Sequence, residues 1–201
     1  MHVAGARGYE VDSDALARRY EQVDPRGKYA VAFHLLPQSP SAVMDVGSGS
    51  GVDAAWFASL GHEVLAVEPV DALRLRAMSL HPLSLIRWID DCLPHLSSVA
   101  ALGKRFQLIV VSGVWTHLEE EERHDALSTM ATLLAPDGII LISIRHGPAP
   151  EGRRSFPAEP PGTVAFAEEI GLKTVLDVQA PSMQAANREA GVTWTWLAFR
   201  G

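Results

Sequence analysis

The sequence contains a single cysteine, Cys92, among its 201 residues. A disulfide within the chain and a cysteine-rich zinc site are therefore excluded. No uninterrupted apolar run approaches the roughly 20 residues that cross a bilayer, and residues 1–9 lack the apolar segment of a secretory signal. These absences predict a cytoplasmic protein with no part embedded in a membrane.

Basic residues are also in the minority, since 17 Lys and Arg stand against 24 Asp and Glu and the formal net charge is −7. The chain thus lacks the positive surface by which proteins bind nucleic acid, and we expect no nucleic-acid partner. Hydrophobic residues make up 47% and charged residues 20%, as is typical of a globular protein, and the length fits one domain.

Short apolar runs alternate with longer helical segments through most of the chain. Runs without polar alternation indicate strands that helices cover on both faces, as in a parallel sheet of βαβ units. The predicted strands are Ala42–Val46, Glu63–Val67, Leu83–Ile89, Phe106–Val111 and Gly138–Arg145. The predicted helices are Ser13–Tyr20, Lys28–Leu36, Val52–Leu60, Asp71–Leu80, Leu96–Leu102 and Leu118–Leu134.

Local signals define one helix start and the last part of the chain. Thr116 stands three residues before Glu119, a spacing that predicts a capping box. Residues 146–162 are rich in proline and glycine and predict a long surface loop. The runs Leu172–Gln179 and Thr193–Arg200 predict two final strands that pair with each other in antiparallel fashion.

A glycine-rich turn follows the first predicted strand, with glycines at Gly47, Gly49 and Gly51. Glycine is required where a chain turns with positive φ or where a ligand lies against bare backbone. The carboxyl end of such a strand is where open α/β sheets bind ligands. A dinucleotide site would have its third glycine where this chain has Val52, which argues against NAD or FAD.

Glu68 ends the second predicted strand and is followed by Pro69. A carboxylate at this position can accept hydrogen bonds from both hydroxyls of a ribose. Together with the glycine turn one strand earlier, Glu68 indicates a site for a cofactor that contains a nucleoside.

These motifs resemble, in order, those of the class I, seven-stranded S-adenosylmethionine-dependent methyltransferases. Residues 43–51 resemble the glycine-rich first motif of that family, and Glu68 resembles its ribose-binding acid. The later motifs of the family match residues 88–94, 106–118 and 134–143. The resemblance covers residues 40–145 and implies a Rossmann-like three-layer α/β sandwich. Its mostly parallel seven-stranded sheet would have an antiparallel last strand.

The resemblance also implies one methyltransferase domain over residues 1–201, with residues 1–40 as a helical N-terminal lid and 41–201 as the Rossmann-like core. Three tyrosines lie in the predicted lid: Tyr9, Tyr20 and Tyr29. We expect Tyr20 to lie nearest the cofactor.

By the same resemblance the cofactor is S-adenosylmethionine and its product is S-adenosylhomocysteine. The methionine moiety would be held by Asp45 and by the turn residues Gly47, Ser48, Gly49 and Gly51. For two of the acidic residues an alternative role is open. Asp45 can instead bond the backbone of the glycine turn, and Asp53 can favour the helix dipole rather than contact the ligand.

Asp90 and Asp91 compete for the adenine amino group in the resemblance, with Cys92 and Leu93 bordering the ring. Adjacent residues of an extended chain point to opposite sides, so only one of the two acids is expected to face the pocket. We favour Asp91.

The end of the fourth strand is where the resemblance places methyl transfer. Ser112 and Gly113 would line the centre there, and Trp115 would supply an aromatic wall or pack in the core. His117 is the candidate general base, with a capping or supporting role as the alternative.

Arg145 and His146 end the fifth strand on the same rim. They are candidates to bind an acidic group of the substrate, or they form a solvated strand end.

The expected function is methyl transfer to a small-molecule acceptor by in-line displacement. The segment from Ser112 to Trp115 lacks the Asx/Ser-Pro-Pro-aromatic signature that many DNA and protein-amide methyltransferases carry, which favours a small acceptor. A non-catalytic partner or sensor protein that binds S-adenosylmethionine or S-adenosylhomocysteine is the alternative. The histidines are scattered without metal-ligand spacing, so no metal site is expected.

Overall fold

Seven strands form one sheet in a computed structural model that describes residues 13–149 and 152–201. The strands are β1 (Ala42–Val46), β2 (Glu63–Val67), β3 (Ile86–Ile89), β4 (Phe106–Ser112), β5 (Leu134–His146), β6 (Lys173–Pro181) and β7 (Thr193–Arg200). They lie in the order β3-β2-β1-β4-β5-β7-β6. Strands β1 to β5 pair in parallel, whereas β7 runs antiparallel to both β5 and β6. The predicted seven-stranded sheet with its reversed last strand is confirmed.

Helices surround this sheet. They are α1 (Ser13–Tyr20), α2 (Pro25–Lys28), α3 (Val52–Ser59), α4 (Asp71–Leu80), α5 (Ser97–Ala100), α6 (Glu120–Leu133), α7 (Pro160–Glu169) and α8 (Ala185–Glu189). Two 3₁₀ segments cover Ala30–Leu35 and Trp115–His117. None of these helices in the described ranges is long and apolar enough to cross a membrane.

Two apolar cores lie on opposite faces of the sheet, which makes the predicted three-layer sandwich. One core holds residues of α6 and α7, such as Leu127, Met130 and Ala167. The other holds Phe57 of α3 and Tyr29 before the first 3₁₀ segment. Strands β1, β2, β4 and β5 have near-continuous apolar runs because each contributes side chains to both cores, whereas the edge strand β6 packs on one core only.

The start of α6 corrects the predicted capping box. The helix begins at Glu120, with Glu119 as N-cap and Glu122 completing the reciprocal bonds. Thr116 lies in the preceding 3₁₀ segment and is buried. The capping box is therefore present, but it begins three residues later, at Glu119. The run of four glutamates offers more than one pair of residues at the capping-box spacing.

Helix α7 is the main element that the sequence analysis missed. Residues 146–162 are not wholly a surface loop, since α7 begins at Pro160 and runs to Glu169. Pro160 and Pro161 occupy the first two helical positions, where a missing N–H costs nothing. The prolines therefore mark a helix start here, and they were read as loop residues.

Smaller differences concern the element ends. The predicted helix Lys28–Leu36 is a 3₁₀ segment over Ala30–Leu35, with the short helix α2 ending just before it, and Leu96–Leu102 is reduced to Ser97–Ala100. Strand β3 begins at Ile86 rather than Leu83, because residues 83–85 form a turn before it.

The predicted lid is described from residue 13 onward, and Tyr9 lies outside the described residues. Helix α1 contacts α4, and α2 contacts α3. These segments lie over the carboxyl ends of β1 and β2, and the candidate site lies between them and the sheet.

Candidate functional site

A cavity of about 1030 Å³ opens at the carboxyl ends of the central strands. The predicted site residues that line it are Tyr20, Gly47, Ser48, Gly49, Asp53, Glu68, Pro69, Asp91, Cys92, Leu93, Ser112, Gly113, His117 and Arg145. Five others do not line it, namely Asp45, Gly51, Asp90, Trp115 and His146. The fold thus brings together side chains that are up to 125 positions apart, from Tyr20 to Arg145.

The glycine turn is held by the strand beside it. The backbone N–H groups of Gly47 and Ser48 both donate to the carbonyl of Val67, at 2.8 and 3.0 Å. Gly47 has φ +70°, and a Cβ there would overlap the side chain of Val114. The turn therefore requires glycine at Gly47 for two reasons, its backbone conformation and the lack of space.

Glu68 is buried at the end of β2, and its carboxylate braces the turn. One oxygen accepts a hydrogen bond from the N–H of Gly49 at 2.8 Å, and the other accepts one from the N–H of Val70 at 2.9 Å. Burial raises the pKa of Glu68, while these two hydrogen bonds oppose the rise. The carboxylate is thus fixed in position at the wall of the cavity.

Asp53 is buried near the start of α3, where its charge favours the helix dipole, as in the predicted alternative. It lies in the first turn of α3, where Lys28 pairs with its carboxylate and the Tyr29 hydroxyl donates to it at 2.8 Å. Tyr29 is fully buried and stacks on Trp56, with ring centroids 5.4 Å apart. It therefore does not cover the pocket as predicted, because its ring belongs to the core beneath the cavity.

Asp45 lies under the glycine turn and is only 2% exposed. It accepts a hydrogen bond from the backbone of Ala54, close to the predicted alternative of bonding the backbone of the turn. Burial first, and then the neighbouring Asp53 carboxylate, raise the pKa of Asp45 to about 8. Lys28 acts in the opposite direction. At neutral pH this carboxyl group therefore retains its proton in a large fraction of molecules.

Four buried oxygens in this segment have no hydrogen-bond partner among the described residues. They belong to Asp45, Ser48, Ser50 and Asp53. Buried polar atoms are otherwise almost always satisfied, so this cluster fits a polar ligand that supplies hydrogen-bond donors. An ammonium group has the required donors and charge. The residues present thus fit the amino-acid end of the cofactor that the sequence implies.

The raised pKa of Asp45 predicts that stability of the ligand-free protein falls as pH rises. The unfolded carboxyl titrates near its ordinary value of 3.8 and the folded one near 8. Between these values only the folded state holds the proton, so each pH unit removes about 1.4 kcal/mol. The native protein thus loses about 4 kcal/mol between pH 5 and pH 8. We expect Asp45→Asn to raise Tm relative to the native protein by ~7–15 °C more at pH 8 than at pH 5. Thermal unfolding of both proteins at both pH values measures this. Equal Tm differences at pH 5 and pH 8 would contradict it.

Asp90 and Asp91 follow β3, and their side chains point to opposite sides, as is expected of adjacent residues in an extended chain. Asp91 lines the cavity, and its carboxylate accepts the N–H groups of Cys92 and Val99, both at 2.9 Å. The Asp90 side chain is 60% exposed and lies 3.6 Å from Arg74. Only Asp91 is placed where it could meet an adenine ring.

Trp115 does not form the predicted aromatic wall. It is 1% exposed in the core between the sheet and α6, and its Nε1 donates to the Thr163 hydroxyl at 3.1 Å. The 3₁₀ segment turns its side chain away from the cavity, which agrees with the predicted alternative of packing.

His117 lines the cavity two residues further on. Its Nδ1 lies 2.5 Å from the backbone carbonyl of Arg154, and because a carbonyl only accepts, Nδ1 is the donor. The neutral tautomer then has its lone pair on Nε2. Burial lowers the pKa of His117, the hydrogen bond to the Arg154 carbonyl opposes this, and the neighbouring Arg153 and Arg154 cations lower it further. The imidazole is therefore neutral at pH 7, as a general base must be.

Two arginines that the sequence analysis missed hold the loop beside His117. The buried guanidinium of Arg123 donates to three backbone carbonyls, those of Trp115, Phe156 and Pro157, at 3.1, 3.2 and 2.9 Å. Arg154 pairs with Glu119 at 2.5 Å and with Glu122 at 3.3 Å. The Arg154 carbonyl, whose hydrogen bond determines the His117 tautomer, thus belongs to a loop that the side chains of Arg123 and Arg154 both hold in place.

Arg145 and His146 lie on opposite faces of β5, as neighbours in a strand must. Arg145 lines the cavity, whereas His146 turns away and its Nε2 lies 2.8 Å from the hydroxyl of Thr195. A role of His146 on the cavity rim is therefore not supported by its position. Tyr20 lies on the opposite side, over Gly49, and its hydroxyl accepts a hydrogen bond from Arg153 at 3.2 Å.

The wall farthest from the glycine turn comes from residues that the sequence analysis did not name. Trp194 and Trp196 of β7 and Met183 after β6 line it. The spacing of the two tryptophans by two positions in a strand was a visible signal that both share one face. In the residues that the structure describes, no group of three His, Cys, Asp or Glu side chains is placed to hold a metal ion.

Comparison with known proteins gives concordant results. The family described as "Methyltransferase domain" matches residues 17–201. An uncharacterized methyltransferase of Staphylococcus carnosus (strain TM300) is 31% identical over 100 residues, which are 50% of this chain and 45% of that protein. The match thus spans less than half the length of this curated relative.

Solved structures share the fold at low identity. A 1,6-didemethyltoxoflavin-N1-methyltransferase of Burkholderia thailandensis, solved with 1,6-didemethyltoxoflavin and S-adenosylhomocysteine, has a TM-score of 0.67 and 22% identity. The match covers 96% of this chain and 81% of that one. A magnesium protoporphyrin IX methyltransferase of Synechocystis PCC 6803, solved with S-adenosylhomocysteine, has a TM-score of 0.71 and 14% identity, over 97% of both chains.

Proposed function

Because the chain belongs to the methyltransferase-domain family, the class I S-adenosylmethionine-dependent methyltransferases, we propose that it transfers a methyl group from S-adenosylmethionine to a small-molecule acceptor. The observation that carries the proposal is the cluster of four unpartnered buried oxygens at the glycine turn, of which those of Ser48, Ser50 and Asp53 belong to residues that line the same cavity as Glu68. A buried cluster of this kind without a ligand is costly, and an amino acid joined to a nucleoside satisfies it.

The binding roles follow from where each side chain lies. Glu68 would accept the ribose hydroxyls, and Asp91 with its neighbours would border the adenine. Asp53, which lines the cavity, would stabilise the ammonium group, with the buried Asp45 beneath the glycine turn as a supporting carboxyl. The cavity of about 1030 Å³ is at the upper end of small-molecule sites, ~300–1000 Å³, which leaves room for an acceptor beside the cofactor. Both ligands would then lie in the same enclosed space.

The bound cofactor supplies a sulfonium methyl group that an acceptor nucleophile displaces in line. The protein aligns the two reactants, and alignment alone contributes roughly 7–11 kcal/mol in the best intramolecular cases. Helices α1 and α2 close the cavity from above, which supports the proposed role of residues 1–40 as a lid that excludes water. His117 holds its proton on Nδ1, so its Nε2 is the atom that would accept a proton from the acceptor.

Binding and turnover test the proposal separately. We expect calorimetry to detect S-adenosylhomocysteine binding and no NADH binding. With S-adenosylmethionine and fractions of a metabolite extract, we expect release of S-adenosylhomocysteine that depends on a small-molecule fraction. Absence of S-adenosylhomocysteine binding overturns the proposal. Binding without turnover in any fraction contradicts the enzymatic part and favours a non-catalytic role.

His117→Ala is expected to lower turnover roughly 100-fold, the usual contribution of a general base. Affinity for S-adenosylhomocysteine should stay within a factor of about two, because the histidine lies beyond the glycine turn. The lowered pKa of His117 predicts that turnover of the native enzyme is constant near pH 7 and falls only below the ordinary histidine pKa of 6.5.

The control for this variant is His95→Ala, since His95 is exposed and does not line the cavity. It should leave both turnover and its pH profile unchanged. Full turnover in His117→Ala would show that this imidazole is not the base.

A further inference from the structure

One face of the outer sheet forms the wall of the cavity that is farthest from the glycine turn. In the antiparallel pair of β5 and β7, Ser143 lies opposite Trp196 and Arg145 lies opposite Trp194. Residues two apart in a strand share a face, and so do residues directly opposite each other. These four side chains therefore form one patch, and all four line the cavity.

The indole of Trp194 extends this patch toward the proposed reaction centre. A Cβ placed on Gly113, at the end of β4, would lie 3.7 Å from the outer edge of that indole. The ring thus reaches from β7 across β5 to the end of β4. Gly113 has no side chain that would separate the ring from this strand end. A flat apolar ligand finds here an aromatic surface that leads directly to the loop carrying His117.

Arg145 places a positive charge at the outer end of this surface. Its guanidinium donates to the carbonyl of Pro148, and no carboxylate of residues 13–149 and 152–201 lies within 4 Å of it. Burial lowers the pKa of Arg145, and the nearby Arg153 cation, which also lines the cavity, lowers it further. Arg145 is thus a partly desolvated cation, which a bound anion stabilises.

The carboxylates of the cavity lie on its other side. Asp53 is held by Lys28 and Tyr29, and Glu68 is held by the N–H groups of two residues. The carboxylates of Asp53 and Glu68 therefore belong to the proposed cofactor half, whereas Arg145 provides a cation on the β5 wall.

We infer that the acceptor is a small aromatic carboxylate, whose carboxylate binds Arg145 and whose ring lies along Trp194. This inference rests on the proposed function, since it assigns the half of the cavity that the cofactor leaves open. Arginine is suited to the task because its planar fork binds a carboxylate through two parallel hydrogen bonds. The methylated atom then lies at the end of the ring remote from the carboxylate, beside Gly113 and His117.

Calorimetry with 1-naphthoate and its neutral counterpart 1-naphthamide tests this inference. Both are titrated into the full-length protein saturated with S-adenosylhomocysteine, and again into the protein alone. We expect naphthoate to bind about 10- to 100-fold more tightly than naphthamide, the usual advantage of a charged hydrogen-bonded pair. In Arg145→Gln this preference should disappear, whereas Arg145→Lys should keep part of it. Affinity for S-adenosylhomocysteine should be unchanged in both variants.

Arg105→Gln is the matched control, because Arg105 is exposed just before β4 and does not line the cavity. It should bind both probes as the native protein does. Equal affinity for acid and amide, a preference that persists in Arg145→Gln, or no binding of naphthoate would each overturn the inference. If the inference fails but S-adenosylhomocysteine binds normally, the proposed function stands without an aromatic carboxylate as the acceptor. If S-adenosylhomocysteine itself fails to bind, the proposed function falls, and the naphthoate titration of the protein alone still decides the role of Arg145.

Discussion

Gly47→Ala is expected to weaken S-adenosylhomocysteine binding by at least ~100-fold. The residue has φ +70°, a conformation that costs a non-glycine residue roughly 1–2 kcal/mol. Its new methyl group would also overlap Val114, which cannot move freely because it immediately precedes the 3₁₀ segment of His117. The turn would have to shift, and its two hydrogen bonds to Val67 would be lost with it. Calorimetric titration measures the affinity.

Gly103→Ala separates backbone strain from this overlap. Gly103 has a similar φ of +63°, yet a Cβ there meets nothing within 4 Å. We expect Gly103→Ala to lower stability by about 1–2 kcal/mol and to leave S-adenosylhomocysteine affinity unchanged. If Gly47→Ala binds the ligand within threefold of the native protein, the turn does not hold the cofactor as proposed.

Glu68→Gln should weaken S-adenosylhomocysteine binding by about 10- to 100-fold and lower Tm as well. Both carboxylate oxygens accept backbone N–H groups, those of Gly49 and Val70. An amide offers one acceptor oxygen, so its NH₂ must face one of these donors, and a buried donor left unpaired costs about 1–3 kcal/mol. The negative charge that would bind the ribose hydroxyls is lost too. Calorimetry and thermal unfolding measure the two effects.

Glu63→Gln provides the comparison at the other end of the same strand. Glu63 begins β2, its side chain is 72% exposed, and its nearest cation, Lys104, is 3.7 Å away. An exposed pair of this kind contributes at most about 1 kcal/mol, so we expect little change in Tm or in ligand affinity. Equal effects of the two substitutions would show that Glu68 has no special role in binding.

The sequence predicted the sheet well because each strand carries its own signal. The strands β1, β2 and β4 are buried on both faces, so an uninterrupted apolar run defines them without reference to distant residues. Helix α7 was missed for the opposite reason. Pro160 and Pro161 are compatible with a loop or a helix start, and the packing of Ala167 against the sheet decides between them.

The residues of the site also fall into two groups, those that local sequence predicts and those whose placement depends on distant contacts. Gly47, Gly49, Glu68 and Asp91 line the cavity, because their position at strand ends follows from local sequence order. The burial of Trp115 depends on Thr163, and the wall at Trp194 depends on the pairing of β5 with β7. Such contacts join residues about 50 positions apart, and nothing in the local sequence records them.

The reversal of β7 between β5 and β6 also bears on how such enzymes diversify. The turn and acids proposed to hold the cofactor come from residues 45–91, whereas Trp194 and Met183 come from the final hairpin. Substitutions confined to that hairpin are therefore expected to change the acceptor of the proposed reaction and to leave the proposed cofactor half unchanged. A directed-evolution library is best restricted to the residues of this hairpin that line the cavity, which include Met183, Asn187 and Trp194.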